Sequence, residues 1–140
     1  MRSHARTAKR GRIERRLRRV LELALQKLGI RRATASVFLV GSDDLRRLKA
    51  KYYKKNKQGA ADVLAFPEPR DFPHPESKKR FLGEIYLNNN LLSDPERMGF
   101  LLIHGLLHVL GYSHDTKRDT LKMQSLEKKL LGKISRSYRF

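Results

Sequence analysis

The chain has 140 residues, 39% of them apolar, and no cysteine, which bounds it to one domain and excludes disulfides, thiolate metal sites and cysteine nucleophiles. No apolar run reaches the about 18 residues that a membrane span needs. None of signal-peptide character follows the basic N-terminus, so cytoplasm is the expected compartment. With 32 Lys and Arg against 14 Asp and Glu, the net charge is +18, a field that gathers polyanions and points to RNA, with an anionic membrane surface as the lesser alternative.

The excess charge is concentrated at the start, where residues 1–32 hold twelve basic side chains and two acidic ones. Residues 1–12 lack apolar periodicity and read as a flexible basic arm. From Ile13 the pattern turns helical, with Ile13, Leu17, Val20, Leu21, Ala24, Leu25 and Leu28 on one face and Gly29 as the stop. Arg15, Arg16, Arg18 and Arg19 fall on the opposite face. Thr34 to Val40 is β-prone and reads as a strand. Ser42 or Asp43 should cap a second helix reaching about Tyr53, with Leu45, Leu48 and Tyr52 inward. Lys54 to Gly59 is a basic loop, Asp62 to Phe66 a strand stopped by Pro67, residues 67–80 a proline-rich loop, and Phe81 to Leu87 a third strand. Ser93-Asp94-Pro95-Glu96 resembles a capping box with proline just inside a helix. That helix should run to about Leu110, and a last one from Thr116 to Leu131 with Leu121, Leu126 and Leu130 inward. The domain then spans 13–132, followed by a basic tail, 133–140. Helices interleaved with short strands predict a small α/β or α+β domain with a mixed, mostly parallel sheet of three or four strands flanked by helices.

Chemistry concentrates in His104-Gly105-Leu106-Leu107-His108-Val109-Leu110-Gly111-Tyr112-Ser113-His114. Two histidines four apart on a helix share a face one turn apart, so both reach one metal ion. Gly111 can end the helix and let the chain bring His114 to the same point. Three imidazoles with one open position are the ligand set of a catalytic zinc, one per chain. Unliganded imidazoles in so apolar a run would be costly, whereas His4 and His74 fall in the arm and a loop and read as bystanders. The spacing matches the zinc pattern H-x-x-x-H-x-x-G-x-x-H. Peptidases with this pattern carry a glutamate after the first histidine as general base; Gly105 stands there instead, which argues against peptide hydrolysis.

The motif His104-Gly105-x-x-His108-x-x-Gly111-x-x-His114 resembles the signature of the YbeY family of zinc-dependent endoribonucleases and rRNA maturation factors. Asp62-Val63-Leu64-Ala65-Phe66-Pro67 is similar to the family's T-D-V-L-S-F-P strand, Leu82-Gly83-Glu84-Ile85 to its L-G-D-I strand, and Met123 and Glu127 to its last helix. The resemblance covers about residues 36–131. It implies a mostly parallel four-stranded sheet flanked by helices, a cleft at the three-histidine zinc, and action on ribosomal RNA at the ribosome, with a ribosomal subunit or ribosome-associated proteins as partners. Departures are visible: Arg2 to Arg12 makes a poor first strand, Ala61 and Ala65 stand for threonine and serine, and Ser113 for an aspartate. Lys54 or Lys55 stands where the family's Y-R-x-K-D loop has an arginine.

A zinc ion can polarise a phosphoryl oxygen, and a cation is needed against the charge that develops there. Lys54 and Lys55 are the catalytic candidates, as point charges rather than a guanidinium fork. Asp115 either orients a ligand imidazole or caps the last helix, the cap being preferred. Two other functions stay open: a non-catalytic, rRNA-binding assembly factor with a structural zinc, and a metallopeptidase.

Overall fold

The helix read from Ile13 to Leu28 forms, and it begins much earlier. In the computed structural model, which describes residues 2–52, 62–69 and 79–137, α1 spans Arg2–Lys27. The segment read as an arm is helical instead. Arginine, lysine and alanine are good helix formers, and Arg10 adds local support through its ion pair with Glu14 at 3.0 Å. Arg10 Nη2 also donates to the Leu39 carbonyl at 2.8 Å, which ties the helix to a strand. The expected apolar stripe is buried from Ile13 to Leu25.

Three strands follow: β1 (Ala33–Val40), β2 (Val63–Pro67) and β3 (Arg80–Asn88). They form one sheet in the order β1-β3-β2. β1 runs parallel to β3, with Val37 opposite Ile85 and Leu39 opposite Leu87. β2 runs antiparallel to β3, with Ala65 opposite Ile85. The sheet is therefore mixed, with one pair of each kind, and among the described residues it has three strands rather than four. Pro67 ends β2, an edge strand, where a missing N–H costs no ladder bond. One sheet face enters the core through Leu39, Ala65, Ile85 and Leu87. The other carries an aromatic row, with ring centroids 4.9 Å apart for Phe38 and Tyr86 and 5.6 Å for Tyr86 and Phe66.

α2 spans Ser42–Tyr52. Leu45 is buried as expected and Leu48 half-buried, but Tyr52 is 58% exposed, its ring edge against Phe66 at 5.2 Å. Ser42 accepts a hydrogen bond from Asn88 Nδ2 at 2.9 Å, while Asn88 Oδ1 accepts from Asn90 N. The buried amide thus fastens the end of β3 to α2 and to the 3-10 turn Asn89–Ser93. α3 spans Pro95–Val109 with proline in the first turn. Its cap is Asp94, which accepts from Arg97 N, because the 3-10 turn consumes Ser93 and the expected capping box does not form.

α4 spans Lys117–Ser137, so it takes in much of what was read as a tail. Its N-terminus is capped by Thr116 Oγ1, which accepts from Asp119 N. The inward stripe is Met123, Glu127, Leu130 and Ile134, with Leu126 packed beside it; Leu121 is 57% exposed. The expected stripe was wrong at Leu121, because 121 lies out of the 123, 127, 130, 134 row that faces α3. No helix among the described residues is long and apolar enough to cross a membrane.

α3 sits against β2 and β3 and also packs on α1 and α4, which touch each other. Gly105 makes the close approach: a Cβ there would lie 2.8 Å from Ile85 Cγ2 and 3.3 Å from Val63 Cγ2. Gly105→Ala should therefore lower stability by about 1–3 kcal/mol despite alanine's better helix propensity. Urea unfolding of the metal-free protein checks this; an unchanged or raised midpoint would show that helix and sheet separate without cost.

Candidate metal centre

Two ligand candidates come from one face of α3 and the third from the turn that ends it. His104 and His108 stand one helical turn apart and are half-buried. The end of α3 is a Schellman closure, in which Tyr112 N donates to the Leu107 carbonyl and Gly111 N to the His108 carbonyl, both at 3.0 Å. The motif needs a left-handed residue, and Gly111 supplies it at φ 106°. The chain then doubles back and delivers exposed His114. Ligand atoms of His104, His108 and His114 all lie within 4.8 Å of one another. The Nε2 atoms of His104 and His108 approach to 3.1 Å, and the His114 ring centroid is 5.0 Å from each of the other two.

The surroundings suit a cation held by neutral imidazoles. Burial lowers the His108 pKa to about 4, and the neighbouring His104 and His114 push the same way, so its ring is neutral at physiological pH. His104 Nδ1 lies 3.1 Å from Glu127 Oε1, and the Glu127 side chain is only 5% exposed. A carboxylate accepting from Nδ1–H fixes the tautomer and leaves Nε2 bare toward the other two rings. Three nitrogen donors with a carboxylate behind one of them fit a divalent transition metal such as zinc.

Each histidine of the sequence motif thus joins the cluster. Lys54 and Lys55 lie outside the described residues. The helix cap is Thr116 and the imidazole partner is Glu127, so Asp115 takes neither expected role; its charge favours the protonated form of His108, against the larger effect of burial. Glu127 is the residue whose role was missed. Its signal was present as a carboxylate in the apolar row Met123, Leu130, Ile134, where an unpaired charge would be costly. Gly105 explains the absent general base in space as well as in sequence: its face of α3 meets the sheet, and no side chain fits there.

Two outcomes follow. Glu127→Ala should weaken metal binding about 10–100-fold by freeing the His104 ring, as read by competition with a chromophoric chelator; equal affinities would remove the carboxylate from the site's design. The second concerns acid. In the metal-free protein the unfolded chain protonates His108 near its ordinary value of 6.5 and the folded chain only near 4. The unfolded state therefore binds more protons between these values, and the contribution present above pH 6.5 is lost as pH falls toward 4. Melting in chelator should show a steeper acid loss for wild type than for His108→Asn; parallel losses would contradict the neutral ring.

The model of the endoribonuclease YbeY family matches residues 1–135. Among curated proteins, the endoribonuclease YbeY of Aquifex aeolicus is 30% identical over 126 residues, 83% of this chain and 80% of that one. That of Ehrlichia canis is 34% identical over 108 residues, 71% of this chain and 66% of that one. A protein of Thermotoga maritima solved in solution is 22% identical, with 91% and 87% of the two chains covered and a TM-score of 0.46. With the three-histidine cluster in place and the family model matching residues 1–135 of the 140, the chain belongs to the endoribonuclease YbeY family.

Proposed function

We propose that this protein is a zinc-dependent endoribonuclease that cuts single-stranded RNA and acts in ribosomal RNA maturation and ribosome quality control in the cytoplasm. The observation that carries the reading is the convergence of His104, His108 and His114, backed by Glu127, on a chain of net charge +18. Zinc bound by these imidazoles would supply a Lewis acid for a phosphoryl oxygen and acidify a water. The chain's own residues do the rest. Glu127 holds the His104 ring in orientation, and burial keeps His108 unprotonated. Exposed Arg12, Arg15, Arg16, Arg18 and Arg19 on the outer face of α1 offer a phosphate-tracking surface. Lys54 and Lys55, in the basic stretch after α2, are the proposed cations against the charge that develops on the reacting phosphate. Ribosomal RNA, within a ribosomal subunit, is the substrate that the family's role favours.

Peptide hydrolysis finds no support, since position 105 cannot carry the missing glutamate without driving α3 off the sheet. A non-catalytic assembly role is separated from a nuclease by the rate alone. In single-turnover reactions with saturating enzyme, His114→Ala should cleave RNA more than about 100-fold more slowly than wild type while its RNA affinity stays nearly unchanged, because that affinity comes from distant arginines. Equal rates would mark the activity as a contaminant and put the assembly role first.

A further inference from the structure

Phe100 stands one turn before His104, in the row that continues to His108. The residue is 36% exposed, and its ring centroid lies 6.5 Å from that of His104 at an interplanar angle of 27°. Beside it, α3 and α4 border a hollow of about 500 Å³ lined by Phe100, Leu121, Gln124, Ser125, Glu127 and Lys128. Leu121 is exposed because the core row of α4 is Met123, Glu127, Leu130 and Ile134, so folding alone does not explain a leucine there. The hollow adjoins the metal centre through Glu127, which lines it and lies 3.1 Å from His104 Nδ1.

The lining selects its occupant. A flat aromatic ring and a leucine offer apolar faces, Gln124 and Ser125 offer donors and acceptors for a polar rim, and Lys128 offers a cation. Base, rim and phosphate of one nucleotide match these in turn. The buried carboxylate of Glu127 disfavours a phosphate inside the hollow, so the base enters and its phosphate stays outside. The geometry points to this hollow as the subsite for an unstacked nucleobase next to the scissile phosphate of single-stranded RNA, with Phe100 as the stacking platform and Leu121 as the opposing wall. This inference rests on the endoribonuclease reading above.

The test is single-turnover cleavage of one RNA from which bases are removed singly around the cut. In wild type, one abasic position beside the cut slows cleavage about ten-fold, within what base–aromatic stacking supplies. In Phe100→Ala and in Leu121→Ala the same lesion costs less than about two-fold, because the contact is already gone, and Phe100→Trp restores the full penalty. A binding readout accompanies it: 2-aminopurine at that position is quenched when the RNA binds His114→Ala protein and stays bright when Phe100→Ala is added. Leu121, exposed on a different helix from His104, keeps the test decisive if Phe100→Ala disturbs His104. An abasic penalty of equal size in wild type and both variants overturns the inference and leaves the nuclease reading standing. Loss of self-association in the variants, with the penalty unchanged, assigns the face to a second copy of the chain and also overturns it. A wild type that cuts no RNA removes both readings.

Discussion

The close packing of α3 against the sheet at Gly105 governs the rest of the molecule. With Ile85 Cγ2 only 2.8 Å from where a Cβ would be, the helix axis comes as near the strands as backbone allows. That contact sets the rotation of α3 about its axis. From Met98 to Val109 every residue is buried except Phe100, His104 and His108, which fall at four-residue steps on the side away from the sheet. One row of an otherwise enclosed helix is thus left to face α4 and the returning turn. A metal site needs ligands that are held and yet reachable, and this half-buried row meets both demands.

Holding the ligands depends on a second element. Glu127 is a carboxylate within the apolar row of α4, and its burial is tolerable only with a hydrogen-bonded partner. His104 Nδ1 is that partner, so the contact that satisfies the carboxylate also orients the ring. His114 comes from outside the helix, through a closure that only a left-handed residue permits, and it is the exposed member of the three. Two of the histidines are therefore set by the core and the third by a turn.

Charge and chemistry occupy different parts of the chain. Arg12, Arg15, Arg16, Arg18 and Arg19 are exposed on a helix whose inner face fills the core, whereas His104 and His108 sit on α3 and His114 follows the turn that ends it. The exposed cations and the histidine cluster are therefore carried by separate elements, so each can be altered without the other. The helical N-terminal segment also joins surface to sheet, because Arg10 donates to the Leu39 carbonyl of β1.

The three-histidine cluster was legible in the sequence because its geometry is local: a four-residue step on a helix and a glycine at its end determine where three imidazoles go. The helix stripe from Ile13 to Leu25 and the three strands were legible for the same reason, as periodicities within one segment. What the residues alone left undecided involved separate segments. The arm before Ile13 lacks apolar periodicity, and its helix carries a bond from Arg10 to a strand twenty-nine residues away. Leu121 and Leu126 looked as apolar as Met123 and Leu130, and only the line of contact with α3 separates the inward row from the exposed leucine. Gly105 read as a missing base, and the tertiary structure makes it the point where helix meets sheet. Glu127 read as a family match, and its pairing with a histidine twenty-three residues earlier appears only once α3 and α4 are packed together.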